Sequence, residues 1–134
     1  MQRSESATRP IEVEHFPATG ELWLRRNIVT ETRTDGNGPY TVFAYEETSG
    51  HTTDAQSLAQ AHFDTFWAYC EDGGSPDIES YLRQRRESEC FTVCDRPLWL
   101  ETLTETQLSE LRAWRQAWLN VTDTLQIPAR PNWL

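Results

Sequence analysis

The sequence predicts an α+β fold: a small N-terminal β-hairpin packed on two helices, followed by a C-terminal helix and an extended tail of prolines and tryptophan. Three observations carry this prediction. Two β-forming runs flank a turn signal at 34–39. Two stretches, opening at Thr53 and at Thr104, join a capping pattern to an apolar stripe of helical period. The last eight residues, Ile127-Pro128-Ala129-Arg130-Pro131-Asn132-Trp133-Leu134, hold two prolines three apart, which favours an extended path.

The elements follow in order. Residues 1–19 show no periodicity, and Ser4, Ser6, Pro10 and Pro17 predict a flexible or extended arm. From Glu21 the chain becomes strand-like through Trp23, Ile28, Val29, Thr30 and Thr32. The run ends at Thr34-Asp35-Gly36-Asn37-Gly38-Pro39, whose Asp-Gly and Asn-Gly pairs supply the positive φ angles of a hairpin turn. Tyr40-Thr41-Val42-Phe43-Ala44-Tyr45 forms the return strand. Two strands alone are marginal in water, so the hairpin requires a packing partner.

That partner is the next segment. Thr53 is expected to cap a helix, with Gln56 completing a capping box. Ala59, Phe63, Phe66, Trp67 and Cys70 then share one helical face, and Gly73-Gly74 end the helix. Ser75-Pro76 restarts a helix with proline at its first position and Asp77 and Glu79 in the first turn. Ile78, Tyr81 and Leu82 face inward, and Arg83, Arg85 and Arg86 suit a C-terminal end. Residues 20–95 thus form a small α+β body. Cys90–Trp99 reads as a connector, with a brief strand at Phe91 and Val93. The third segment, 96–134, holds a helix capped by Thr104 and Gln107, with Leu111, Trp114, Trp118, Val121 and Leu125 spaced three, four, three, four.

Composition narrows the function. Only 37% of residues are hydrophobic, but aromatics reach 11% and six are tryptophan, which opposes disorder. The net charge of -9 is the wrong sign for ordinary nucleic-acid binding. No apolar run approaches the ~20 residues of a membrane span, and the polar, proline-broken start is unlike a signal peptide. All twelve basic residues are arginine, which excludes lysine chemistry; a coding bias explains this more simply than forked carboxylate recognition does.

No catalytic residue, cofactor or metal site is expected. Read as a strand, Cys90 and Cys94 stand roughly 13 Å apart at Cα, beyond the roughly 7 Å limit of a disulfide. With Cys70 they are expected to be free, structural thiols. His15, His51 and His62 occur in no metal-ligand spacing, and no nucleophile elbow or phosphate loop is present. Glu46-Glu47 and Glu71-Asp72 are read as solvated surface.

Trp114 and Trp118 lie on one face of their helix. Such a pair serves either as an interface hot spot or as packing for the body, with Trp133 folding back to cover it. The segment from about Leu98 to the end resembles the C-terminal module of bacteriophage tail assembly chaperones, including tail-fibre assembly proteins. The resemblance rests on Leu103-Thr104, Leu111, Trp114-Arg115-Gln116-Ala117, Thr122-Asp123, Pro128, Pro131 and Trp133. Leu119-Asn120 stand where family members often carry Arg-Asp, and Trp118 is an extra tryptophan. The resemblance implies a non-catalytic protein, without cofactor, acting in the host cytoplasm during phage assembly or retained in the virion tail. It implies binding of a tail or tail-fibre subunit through Leu111, Trp114, Arg115, Trp118, Val121, Pro128, Pro131 and Trp133, and leaves self-association open. A permanent tail, baseplate or fibre-attachment component is the alternative. An acidic DNA mimic is a third, opposed by the arginines at 25, 26, 83, 85 and 86 that interrupt the carboxylates.

Overall fold

The computed structural model describes every residue from Met1 to Leu134. The chain forms two compact units, Met1–Ile78 and Glu79–Leu134. The boundary between them falls after Ile78, at neither 19/20 nor 95/96, and the predicted α+β class stands.

The first unit is built on a four-stranded antiparallel sheet of order β1-β4-β3-β2, with β1 Gln2–Ser6, β2 Val13–Phe16, β3 Glu21–Asp35 and β4 Gly38–His51. The predicted hairpin is its centre, in register from Glu21 opposite His51 to Asp35 opposite Gly38. A bulge interrupts the ladder between Arg26 and Val29, where Asn27 takes a φ of 53°. At the turn only Gly38 is left-handed (φ 104°), while Asp35 Oδ1 accepts the Asn37 N–H at 2.7 Å. The turn thus uses one of the expected positive φ angles, at the second glycine.

The predicted arm is instead the source of both edge strands. β1 pairs with Phe43–Glu47 and β2 with Glu21–Leu24. These short strands are held by ladder bonds and ion pairs more than by apolar burial, so they leave no alternating hydrophobic signal.

α1 (Gln56–Ala61) and α2 (Phe63–Glu71) follow, separated by His62 at φ -128°, ψ 50°. Thr53 is not the cap; Ala55 holds that position without a side-chain bond. Thr52 and Asp54 make the local structure: Thr52 Oγ1 donates to Asp54 Oδ2 (2.6 Å), which also accepts the Ile78 N–H (2.9 Å). α2 packs on β4, and Leu22, Leu24, Ala44, Phe66 and Tyr69 are fully buried. Gly73 and Gly74 end α2 in left-handed conformations, as expected. Ser75-Pro76 is cis and precedes α3 (Ile78–Arg85), so Pro76 does not open that helix.

In the second unit the chain continues from α3 into a π-helical stretch, Arg86–Phe91, then α4 (Thr92–Cys94) and α5 (Pro97–Leu100). The expected strand at Phe91–Val93 is thus helical. Its β-forming residues are overruled by local helical bonds and by packing of the π-helix on α6 (Glu105–Leu119). Thr92 Oγ1 donates to the Ser88 carbonyl at 2.7 Å, and Arg85 pairs with Glu89 one turn on. α6 begins with the predicted capping box: Gln107 N–H donates to Thr104 Oγ1 (3.1 Å) and Thr104 N–H to Gln107 Oε1 (3.0 Å). α7 (Val121–Thr124) closes on Leu125, itself left-handed at φ 52°.

Candidate functional site

Of the residues expected to bind a partner, the helical stripe is interior. Leu111, Trp114, Trp118 and Val121 are all buried, with Trp118 only 1% exposed. The structure thus places them in packing, the second of the two roles the sequence left open, with little surface to offer a second protein. The indole N–H groups of Trp114 and Trp118 are buried without a hydrogen-bond partner. Each such donor costs about 1–3 kcal/mol of desolvation, set against the large ring area it brings into the core. Arg115 sits at the margin, its guanidinium 4.9 Å from the Phe91 ring centre and 3.9 Å from Asp95.

The other predicted residues, Pro128, Pro131 and Trp133, come together in the tail that follows α7, and all three are half-buried. Prolines remove two backbone donors and hold the path extended. The tail is fastened near its end. Trp133 Nε1 donates to Glu110 Oε2 at 2.6 Å, its ring lies 6.5 Å from that of Trp99, and the Leu134 N–H meets the Pro131 carbonyl at 3.1 Å. Before those anchors, Gln126–Ala129 line an open groove of about 380 Å³ together with Ala117, Asn120 and Thr124. Trp133 therefore does fold back, but onto Glu110 and Trp99. Sequence reasoning missed both anchors, because nothing local links position 133 to a carboxylate on the outer face of α6.

A second arrangement unforeseen in the sequence crosses all four strands. Glu47 Oε1 accepts from Gln2 Nε2 (2.9 Å) and Ser4 Oγ (3.2 Å), and its Oε2 accepts from Arg25 Nε (2.7 Å). Arg25 Nη1 reaches Glu14 at 2.7 Å. The side chains of Arg25 and Glu47 are only 14% and 9% exposed, so Glu47 is not the solvated carboxylate the sequence suggested. Burial opposes its ionisation, but the bonds from Arg25, Gln2 and Ser4 outweigh that and hold the carboxyl below its ordinary 4.5. A carboxylate ionised near neutrality with both oxygens occupied is an anchor for the sheet, unsuited to proton transfer there. On the other face Arg26 pairs with Glu46 at 2.9 Å and lies 3.9 Å over the Trp67 ring.

Glu46 and Glu31 are likewise lowered, first by hydrogen bonds from Arg26 and Arg33 respectively. A carboxylate whose folded pKa is depressed contributes stability above its unfolded value and loses it as pH falls through the folded one. Urea unfolding at a series of pH values should therefore show a flat midpoint down to about the ordinary 4.5, then a fall. Glu47→Gln should flatten part of that fall.

The stretch from Cys90 to Cys94 is helical, which overturns the 13 Å separation expected of a strand; the two sulfurs lie 3.7 Å apart. Cys70, Cys90 and Cys94 are free and buried. Burial pushes the Cys70 and Cys90 thiols up to about 12 and raises Cys94 as well. Native protein should accordingly react with a thiol-directed disulfide reagent far more slowly than a free cysteine, all three thiols titrating only after denaturation. A native burst of reaction would show that one is accessible. No three His, Cys, Asp or Glu side chains gather into a group able to hold a metal ion.

No helix is long and apolar enough to cross a membrane. Comparison with protein-family models, curated proteins and solved structures finds no match.

Proposed function

We propose that the chain is a bacteriophage tail or tail-fibre assembly protein that binds a tail or fibre subunit through its C-terminal tail and catalyses no reaction. The observation that carries this reading is the tail itself. Ile127, Pro128, Pro131, Trp133 and Leu134 are half-buried apolar side chains on an extended strip beside an open groove. One hydrogen bond, from Trp133 to Glu110, ties the strip to α6, at its far end. A proline-stiffened segment loses little conformational entropy when a partner closes over it, and tryptophan is a preferred anchor of such contacts. The resemblance to tail assembly chaperones rests partly on these same residues, Pro128, Pro131 and Trp133, and names the kind of partner.

Interrupting the coding sequence in a phage that carries it should yield particles without complete tails or fibres, seen by electron microscopy and restored by supplying the chain in trans. Normal particles would refute the assembly role. Mass spectrometry of wild-type particles should find the chain absent; stoichiometric amounts would make it a permanent tail component.

A further inference from the structure

The sheet of the first unit has two free edges, and they differ. β2 is four residues long, lies between Pro10 and Pro17, and carries the carboxylate of Glu14, with Glu12 just before it. Flanking prolines and a very short span are devices that keep an edge from pairing. β1 is only one residue longer, but it holds no proline, its one strand neighbour is β4, and Gln2, Arg3 and Glu5 are exposed. The N–H and C=O groups on its outer side are a template for another strand.

The residues of β1, Gln2-Arg3-Ser4-Glu5-Ser6, are self-complementary in charge. Antiparallel pairing of this strand with itself about Ser4 sets Gln2 opposite Ser6 and Arg3 opposite Glu5, twice over. Two-fold registers centred on Arg3 or on Glu5 would instead set like charges directly opposite, which is destabilising. The side chains of Arg3 and Glu5 are 61% and 44% exposed, and both belong to one ion-pair row on the sheet: Arg3 with Glu31 (2.8 Å), Glu5 with Arg33. We propose that β1 is a homodimer interface, pairing with β1 of a second copy about an axis at Ser4 and joining two four-stranded sheets into one continuous sheet. The ion-pair row then runs across the axis, each Arg3 lying between its own Glu31 and Glu5 of the second copy.

A five-residue strand spans roughly 17 Å, and the contact is smaller than the roughly 1,200 Å² of a standard stable interface. The dimer is therefore reversible, filling as concentration rises and emptying as salt screens the charge pairs. The proposal is independent of the function proposed above.

Sedimentation velocity of the full chain, from micromolar to millimolar concentration at low salt, should show the mass rising from one copy towards two. Arg3→Glu and Glu5→Arg each place like charges opposite at both pairs, and each should weaken the dimer at least about tenfold. An equimolar mixture of the two variants restores opposite charges at both pairs and should recover dimer that neither forms alone. Circular dichroism melts of each variant confirm that its sheet is intact. On the wild-type chain, independently of any variant, amide exchange in Gln2–Ser6 should slow as concentration rises. A wild-type chain monomeric throughout, a dimer unaffected by both substitutions, folded variants whose mixture stays monomeric, or exchange in β1 indifferent to concentration would each overturn the proposal.

Discussion

Trp118→Ala should strongly destabilise the second unit, whereas Trp133→Ala should leave its stability nearly unchanged. Trp118 is 1% exposed and sits on α6 between Trp114 and Val121, both buried. Truncating a buried indole removes its transfer energy and leaves a cavity, together about 3–5 kcal/mol, a large share of the 5–15 kcal/mol typical of a whole domain. Trp118→Phe should cost much less. It keeps most of the ring and removes an N–H that has no partner, so the relieved desolvation offsets part of the lost area. Trp133 is half-buried and gives up one exposed hydrogen bond to Glu110 and the ring contact with Trp99. Its loss should cost about 1 kcal/mol. Urea unfolding followed by circular dichroism measures all three. Equal costs for Trp118→Ala and Trp133→Ala would contradict the assignment of one to the core and the other to the surface.

The second large effect is expected where two backbones touch. A Cβ on Gly74 would stand 2.6 Å from the Gly50 Cα, and one on Gly50 would stand 2.9 Å from the Gly74 Cα. Neither neighbour is a flexible side chain that can turn away. Relief requires β4 to part from the loop after α2, which stretches the 2.6 Å bond from the His51 N–H to the Gly74 carbonyl. Gly74 is also left-handed, at φ 52°, where a side chain adds strain of its own. Gly74→Ala should therefore cost about 2–4 kcal/mol, and Gly50→Ala slightly less because the strain is absent. Gly36→Ala is the control: a Cβ there meets nothing within 4 Å, and its melting temperature should be unchanged. A Gly74→Ala protein as stable as the wild type would show that the β4–loop contact is looser than described.

Elements whose stability is written locally were legible in the sequence. The Thr104–Gln107 capping box needs only residues three apart, and the β3–β4 hairpin needs only a turn and its flanking β-formers; both form as read. Gly73 and Gly74 likewise end α2 because the left-handed residues required there are local. What depends on distant partners was not legible. β1 and β2 are strands because β3 and β4 offer them ladders, and their own sequences hold no alternating apolar pattern. Phe91-Thr92-Val93 is β-forming by composition and helical by packing on α6. Thr53 does not cap α1; its neighbours Thr52 and Asp54 bond to each other, and Asp54 also accepts from Ile78 at the start of α3. At the candidate site the same division holds. Periodicity placed Leu111, Trp114, Trp118 and Val121 on one face but could not say whether that face meets this chain or another; the structure turns it inward. The tail was visible in Pro128, Pro131 and Trp133, while Glu110 and Trp99, which fasten it, carry no signal at their own positions.

The central claim is that the chain holds a tail or fibre subunit through its half-buried, extended C-terminal strip. The direct measurement is quantitative affinity co-purification from phage-infected cells, comparing the wild-type chain with Trp133→Ala and with a chain lacking Ile127–Leu134, each first shown to be folded. A tail or fibre subunit enriched with the wild type and reduced at least about tenfold with both variants, the cost of losing one buried anchor, is the predicted result. Enrichment of no tail protein, or equal capture by all three chains, would contradict it.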